Sequence, residues 1–447
     1  MNSNNQLTNN FIYASLVIPV AGSGMPIFVY ILPFYADELM LGMTTVSIIF
    51  FLGRFIDVFT DPVMGFLIDR YQTKSSKHKH WVLLAIPLIT LSTYLIYFPG
   101  DNQVSNSYFF SSLFLLYSGF TLLVITQLSW SLIIAPSYDS RTNLMTLREF
   151  MALIGMFIVI VIPAVIERYT PEMQAKIEGI GWFVIISTPL IILAAFIRLP
   201  DKSSFSNNIP LKDSLLVFKK LFNNKDVNRI VIVGFLIAFA QGLSGGLFLI
   251  IVDSIFDLKT YGSRAMLAYF LMSVVGLRVW RTISVKTSKH LSLSICCFYA
   301  VGILLIYFFG INLLDNLSNV QKIIFLFSFV ILFGFAFSGP NPLINGMIGD
   351  LSQIQKIKDN TDIGGSIYSY LTTLSKFGLA LAIAVPYILL EQVFGFQIKL
   401  GASNEQEIKS ALWNIYIFAP MICYLVSGFL ILRHNVNRSD LEIDREL

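Results

Sequence analysis

The amino-acid sequence predicts an all-α membrane protein with twelve transmembrane helices. Of its 447 residues, 55% are hydrophobic and only 13% are charged, whereas an ordinary soluble domain carries about 25% charged residues. Apolar runs of roughly 20 residues recur along the chain, which is the length that a helix needs to cross a bilayer core of about 30 Å. A soluble protein could not bury this much apolar side chain without large exposed patches, so a soluble fold is excluded.

Short polar segments separate the apolar runs from one another. We predict spans near residues 11–35, 43–68, 81–99, 108–135, 148–166, 180–198, 230–252, 265–284, 291–313, 322–347, 364–392 and 411–433. The first run has no basic flank and is too long for the apolar core of a signal peptide, so we keep it as a span. An even number of spans places both termini on the same side of the membrane.

The distribution of basic residues predicts the orientation. Of the 31 lysines and arginines, 22 fall in the loops and tail that share a side with the termini, 7 fall in the opposite loops, and Arg54 and Lys376 lie inside predicted spans. Because cytoplasmic loops carry the excess of basic residues, both termini are expected in the cytoplasm. The net charge of +4 is small and does not indicate nucleic acid as a partner.

A long polar stretch separates the first six predicted spans from the last six. We predict an N-terminal six-helix bundle over 1–198, a cytoplasmic linker over 199–229, and a C-terminal six-helix bundle with a short cytoplasmic tail over 230–447. Tandem bundles of this kind are typical of secondary transporters. Within the linker, LKDSLLVFKKLF either forms a short helix on the membrane surface or acts only as a connector.

Three charged residues stand out in the second span. Arg54, Asp57 and Asp61 are spaced by three and four residues, so they share one face of a helix. Each charge costs roughly 2.5–3.5 kcal/mol at the bilayer centre, so this face is not expected to meet lipid. The three side chains therefore line a cavity, pair with each other or bind an ion.

Asp57 and Asp61 form a plausible site for a small hard cation. Sodium or a proton would relieve the repulsion between two carboxylates one turn apart. Asp61 precedes Pro62, whose missing N–H frees a backbone carbonyl one turn earlier as a further ligand. In the alternative interpretation, an Arg54–Asp57 ion pair only holds helices together.

Lys376 is the second charge inside a predicted span. A buried lysine there needs a carboxylate, and Asp57 or Asp61 would be the obvious partner. Alternatively, its long side chain reaches the cytoplasmic interface. A separate signal is the G-x-x-x-D-R pattern after the second span (Gly65, Asp69, Arg70), which looks like the short cytoplasmic loop of the major facilitator superfamily.

These residues together resemble the glycoside–pentoside–hexuronide:cation symporters, the melibiose permease family of that superfamily. The resemblance covers nearly the whole chain, and its most specific part is R-x-x-D-x-x-x-D-P-x-x-G. The residues that carry it are Arg54, Asp57, Asp61, Pro62, Gly65, Trp130, Ser131, Leu132, Arg148, Asp350 and Lys376.

The resemblance implies a major facilitator fold of two six-helix bundles and a set of site residues. It implies that Asp57 and Asp61 bind the coupling ion, which is Na⁺, Li⁺ or H⁺ in the family, and that no other cofactor is needed. The residues expected to contact substrate are Thr126, Gln127, Trp130, Arg148, Lys376 and Asn341. A structural or gating role is expected for Arg54, Asp69, Arg70 and Asp350.

The sequence also departs from the family. Galactoside carriers of the family have an acid in the first span and another in the fourth that hydrogen-bond to the sugar hydroxyls. This chain has Ala21 or Gly22 at the first position and Thr126 at the second. The substrate is therefore not expected to be melibiose. Arg148 either contacts an anionic substrate such as a uronate through two parallel hydrogen bonds, or caps the cytoplasmic end of its helix.

The sequence thus predicts cation-coupled symport of a sugar, glycoside, uronate or related small solute by alternating access. The alternatives are a carrier of lysolipids or other amphiphiles within the same superfamily, and a membrane receptor that does not transport. We expect a monomer in a bacterial inner membrane. An enzyme is not expected, because the four histidines lie in loops or the tail and the sequence contains no H-E-x-x-H motif.

Overall fold

The computed structural model describes residues 3–434 except 33, 74–75, 101–103, 171, 202–220, 259–260, 312–316, 360–362 and 389–405. Within these residues the chain forms fourteen α-helices. In chain order they are α1 (Ser3–Ser15), α2 (Ile18–Pro26), α3 (Met43–Arg70), α4 (Lys79–Tyr97), α5 (Asn106–Ile134), α6 (Tyr138–Ile166), α7 (Met173–Arg198), α8 (Lys225–Ser254), α9 (Gly262–Lys286), α10 (Lys289–Gly310), α11 (Asn319–Phe337), α12 (Pro340–Asp359), α13 (Gly364–Ile388) and α14 (Gln406–Leu432). Every predicted span overlaps at least one of these helices.

The first predicted span, 11–35, is not one regular helix. Helices α1 and α2 are separated at residues 16–17, and two π-helical turns, Ile27–Ile31 and Phe34–Glu38, follow α2. Proline explains both irregularities, because it has no N–H to donate to the carbonyl four residues earlier. Pro19 leaves the Ser15 carbonyl without its helical donor, and Pro26 immediately precedes the first π-helical turn. Apolar composition identified the span but not its breaks.

The tenth predicted span, 322–347, also differs from the structure. Helix α11 ends at Phe337, and α12 begins at Pro340 and continues to Asp359. Proline is favoured at the first position of a helix, where its missing N–H leaves no helical hydrogen bond unmade. The second half of α12 carries Asp350, Gln353 and Lys356, so the apolar pattern faded before the helix ended.

The described chain forms two compact units. One contains the described parts of Met1–Leu221 and Ile348–Thr373, and the other contains the described parts of Phe222–Met347 and Leu374–Ser439. The predicted division into 1–198 and 230–447 stays a prediction. The proposed surface helix in the linker falls on residues 202–220, outside the described residues.

Helix pairs build the core of each unit. In the first unit α3 packs on α5, α4 packs on α5 and α7, and α2 packs on α6. In the second unit α14 packs on α8 and α10, and α9 packs on α11. Within the described residues, nine helices have the length and apolar composition to cross a membrane. The pairing of α3 with α5 is the one that assembles the charged site.

Candidate functional site

Asp57 and Asp61 lie one helical turn apart on α3 and are almost completely buried, with 2% and 0% of their surfaces exposed. A Nη atom of Arg54 lies 3.6 Å from the Asp57 carboxylate. The predicted ion pair between Arg54 and Asp57 is therefore present. The face that carries the three charges is turned into the protein, as the cost of burying charge in lipid requires.

Helix α5 supplies two further side chains to this site. The Thr121 hydroxyl donates to Oδ1 of Asp61 at 2.9 Å. One turn earlier on the same helix, the Tyr117 ring lies 4.3 Å from the Arg54 guanidinium carbon, a cation–π contact that holds the arginine beside Asp57. A glycine at position 53 makes room for this ring, because a Cβ there would lie only 3.0 Å from it.

The cluster brings two carboxylates and one guanidinium together inside the protein. Asp57, Asp61 and Arg54 together carry one net negative charge when all three are ionised. Two buried carboxylates one helical turn apart repel each other, and a monovalent cation bound between them would relieve that repulsion. Carboxylate and hydroxyl oxygens are the ligands that hard cations such as Na⁺ prefer. The same cluster can instead take up one proton on a carboxylate.

A second polar cluster joins α1, α5 and α6. The Tyr13 hydroxyl donates to the Gln127 carbonyl at 2.7 Å, and the Gln127 amide donates to the Tyr13 carbonyl at 2.8 Å. The other atom of the Gln127 amide, Oε1, accepts from Nε of Arg148 at 3.0 Å. Gln127 is therefore fixed on both sides, and it orients the arginine through Nε alone.

Arg148 is 9% exposed. Among the described residues no carboxylate lies within ion-pair distance of it, and the Nε bond to Gln127 is its one hydrogen bond. A buried guanidinium without an anion is costly, so this position favours a ligand that carries negative or strongly polar oxygens. Thr126, beside Gln127, is fully buried, and its hydroxyl has no hydrogen-bond partner in the described structure.

Trp130 is fully buried near the end of α5 and makes a well-defined set of contacts. Its indole N–H donates to the Pro200 carbonyl at 2.9 Å, and its ring stacks on His78 with centroids 5.9 Å apart. The His78 ring is held by Asp201 on one nitrogen, at 3.0 Å, and by Ser129 on the other, at 3.1 Å. The predicted contact of Trp130 with substrate stays a prediction.

Two of the predicted substrate residues belong to the second unit. Lys376 is half-buried on α13, and Asn341 lies in the first turn of α12, where its carbonyl accepts from the Asn345 side chain at 3.0 Å. The predicted pairing of Lys376 with Asp57 or Asp61 stays a prediction.

Asp69, at the end of α3, caps the beginning of α13. Its carboxylate accepts from the Gly365 N–H at 2.7 Å, from the Ser366 N–H at 2.7 Å and from the Ser366 hydroxyl at 2.8 Å. Lys77, almost fully buried, lies 3.3 Å from the same carboxylate. A carboxylate on free N–H groups at a helix N-terminus is a stabilising arrangement, so Asp69 joins two distant segments of the first unit. The neighbouring Arg70 guanidinium lies 5.5 Å from the centroid of the Tyr71 ring.

Asp350, on α12, forms an ion pair with Arg141, in the first turns of α6, and both side chains are buried. Arg141 also donates to the side chain of Gln353, one turn farther along α12. The sequence identified Asp350 but not this partner. One signal was available: an arginine near a helix N-terminus opposes the helix dipole, which suggests a nearby acid.

Sequence reasoning also missed Thr121, Tyr117 and Lys77. Each has a side chain that is common in apolar helices or in basic loops, so no single position was unusual. The signal for Thr121 was a polar residue in an otherwise apolar run, and its acidic partner became evident only from the packing of α3 on α5. The acids themselves were found because charge is rare inside spans.

The chain was compared with known proteins. A model of the family described as MFS/sugar transport protein matches residues 12–438. The isoprimeverose transporter of Lactiplantibacillus pentosus is 23% identical over 446 residues, covering 92% of this chain and 84% of that protein. A putative glycoside/cation symporter of Escherichia coli strain K12 is 22% identical over 418 residues, covering 92% of this chain and 87% of that protein.

The fold also matches a solved structure. The crystal structure of the E. coli fucose:proton symporter superposes with a TM-score of 0.67 at 13% identity, covering 97% of this chain and 98% of that one. At this identity the likeness shows the fold alone, and it is the fold of the major facilitator superfamily. The family resemblance and the fold class predicted from the sequence are both confirmed. The relatives are membrane transporters, so the prediction of an integral multi-pass protein that is not an enzyme is confirmed as well.

Proposed function

Because the chain belongs to the family of MFS sugar transport proteins, we propose that it is a cation-coupled symporter of a sugar, glycoside, uronate or related small solute. The observation that carries the coupling is that Asp57 and Asp61 lie one helical turn apart on α3, almost fully buried, and that the Thr121 hydroxyl is bonded to Asp61. The names of two relatives, an isoprimeverose transporter and a putative glycoside/cation symporter, support the same solute class.

In this mechanism the cation binds to Asp57 and Asp61 and relieves the repulsion between the two buried carboxylates. The ion is Na⁺ or H⁺, and the ligands are the two carboxylates and the Thr121 hydroxyl. Coupling is a reciprocal free energy, so a cation that tightens substrate binding is itself bound more tightly when substrate is present. The two halves of the fold then alternate in exposing the solute to each face of the membrane. We place the protein, as a monomer, in a bacterial inner membrane with both termini in the cytoplasm.

The coupling test uses purified protein in liposomes. An imposed sodium or proton gradient is expected to drive uptake of a labelled solute above its equilibrium level. Asp61→Asn is expected to abolish this accumulation, because it removes one of the two carboxylates that bind the cation. Asp226→Asn, which removes a half-exposed carboxylate from the first turn of α8 outside the site, serves as the control for loss of charge. Full accumulation in an Asp57→Asn, Asp61→Asn double variant would refute the proposal.

Arg148 supports an anionic member of the solute class. It is buried, its Nη atoms have no partner among the described residues, and Gln127 fixes its Nε. A uronate or another carboxylated sugar could accept two parallel hydrogen bonds from this guanidinium. Glucuronate and glucose, which differ only in that carboxylate, should be compared as competitors of uptake. We expect glucuronate to compete at least tenfold better, and Arg148→Lys to remove that preference; stronger competition by glucose would exclude an anionic substrate.

A further inference from the structure

The second unit contains a cavity of about 100 Å³ between α8, α9, α11 and α14. Its lining is almost entirely apolar and mostly aromatic, with the rings of Phe248, Tyr269, Phe333 and Tyr416 among the walls. Protein interiors are packed nearly as densely as organic crystals, so a void of this size is unusual. Apolar cavities of about 150 Å³ stay dry and bind benzene, so this smaller, incompletely enclosed cavity suits a single ring.

Besides the tyrosines, two polar side chains line the cavity, Gln241 and Ser244. The amide of Gln241 donates to the Phe337 carbonyl at 2.8 Å. The hydroxyl of Ser244 has no partner in the described structure, although the residue is only 6% exposed. Gln241 is therefore already engaged with the protein, whereas Ser244 has a hydroxyl that can bond to a group inside the cavity.

The unpaired state of Ser244 is unusual for its position. A serine inside a helix ordinarily donates back to the carbonyl four residues earlier. Ser273, on the facing helix α9, does so, with its hydroxyl 2.9 Å from the Tyr269 carbonyl. A buried hydroxyl without a partner is costly, and here it lines an apolar cavity. Both features are explained if a group that is apolar but carries one hydrogen-bonding atom occupies the cavity.

We propose that this cavity is a subsite for a phenyl-sized apolar group of the transported solute, with Ser244 hydrogen-bonded to the oxygen that links that group to the rest. The solute class is then a glycoside with an aromatic aglycone, rather than a free sugar. This inference rests on the proposed transport function, and it adds the part of the substrate that aromatic walls would recognise.

Glycines at 245 and 246 provide a matched pair of variants. Gly245 lines the cavity and Gly246 does not, and a Cβ at either position would meet no other atom within 4 Å. Gly245→Leu is therefore expected to fill the cavity, and Gly246→Leu to add the same side chain beside it. Ser244→Ala removes the hydroxyl with little change of shape and serves as a second probe if Gly245→Leu does not fold.

The first experiment tests the cavity without any transport. Full-length protein in lipid nanodiscs is titrated with 4-fluorophenol and followed by ¹⁹F NMR, with empty nanodiscs as the partition control. We expect saturable binding in the wild type and in Gly246→Leu, at least tenfold weaker binding in Gly245→Leu, and at least threefold weaker binding in Ser244→Ala. Equal binding by the wild type and Gly245→Leu, or saturable binding of dodecanoate but not of 4-fluorophenol, overturns the subsite.

The second experiment tests its use by the transporter. Methyl and phenyl β-glycosides of glucose, galactose, xylose and glucuronate are compared as ligands of the wild type and both glycine variants. For the sugar that binds, the phenyl glycoside is expected to bind at least tenfold tighter than the methyl glycoside, and Gly245→Leu to remove only this advantage. Equal affinities in the wild type overturn the aglycone assignment. If no glycoside binds or is transported while 4-fluorophenol does bind, the transport proposal fails and the cavity stands.

Discussion

The Thr121 hydroxyl shows how one side chain adjusts a buried charge. It donates at 2.9 Å to Asp61, whose side chain is fully buried, and it comes from a helix otherwise rich in apolar residues. A hydroxyl can donate to a carboxylate when no cation is present, and its oxygen can turn towards a cation when one binds. The Thr121 hydroxyl therefore suits the coupling site both with and without a bound cation.

Substituting Thr121 tests this role. Thr121→Val keeps the shape and removes the oxygen, so we expect the concentration of cation that half-saturates uptake to rise about tenfold, the equivalent of one lost hydrogen bond to a charged group. Thr121→Ser keeps the hydroxyl and should remain within about twofold of the wild type. Initial uptake rates against cation concentration measure both values. Equal behaviour of the two variants would remove Thr121 from the site.

At the scale of helices, α3 and α13 meet at glycine. A Cβ on Gly65 would lie 2.6 Å from the Gly365 carbonyl and would also collide with the Ser369 side chain. This close approach is what lets Asp69, one turn farther along α3, reach the N–H groups of Gly365 and Ser366. The crossing and the cap thus depend on each other.

Gly65→Ala is expected to separate the two helices and lower the free energy of unfolding by about 1–3 kcal/mol, the range for overpacking a close contact. Gly302→Ala is the control, because a Cβ at that helical position meets no atom within 4 Å. It should leave stability unchanged or raise it slightly, since alanine favours helix over glycine. Thermal unfolding of the purified variants, followed by tryptophan fluorescence, measures both. An unchanged melting temperature in Gly65→Ala would contradict the crossing.

The contact between the start of α4 and the segment after α7 depends on pH through Asp201. Burial raises the pKa of this carboxyl, but the hydrogen bonds and charge of His78, together with the Lys79 N–H, outweigh that effect and hold the pKa below its ordinary value of 3.8. A carboxyl with a lowered pKa in the folded state stabilises the protein above its ordinary pKa, and this stabilisation is lost as the pH falls through the lowered value.

Asp201→Asn isolates this contribution, because asparagine does not titrate. We expect the variant to melt at a lower temperature than the wild type at about pH 6, and the difference to shrink as the pH falls from about 4 towards 3. Melting curves of both proteins across this range supply the measurement. A difference that stays constant, or that grows in acid, would show that the Asp201 charge does not hold this contact.

At the scale of the whole molecule, composition was enough to predict the class of fold, and rare charges were enough to find Asp57 and Asp61. Helix breaks were not predictable from apolar pattern, because Pro19 and Pro340 change backbone hydrogen bonding without changing hydropathy. Partners from distant segments were not predictable either. Thr121 meets Asp61 only because α3 packs on α5, and the sequence does not state which spans are neighbours.

The Arg141–Asp350 ion pair is the clearest case of such a long-range contact, since it joins residues 209 positions apart within one unit. Breaking a buried ion pair on one side is expected to cost about 3–5 kcal/mol, because a charge is left behind without its counter-charge. Replacing both members with apolar side chains of similar size is often neutral. Arg141→Met and Asp350→Leu alone should therefore each lower the melting temperature strongly, whereas the double variant should recover most of the loss. If the stability lost in the double variant equals the sum of the losses in the two single variants, the pair does not act as a unit. The attachment of residues 348–373 to the first unit must then depend on the Asp69 cap and the Gly65 crossing instead.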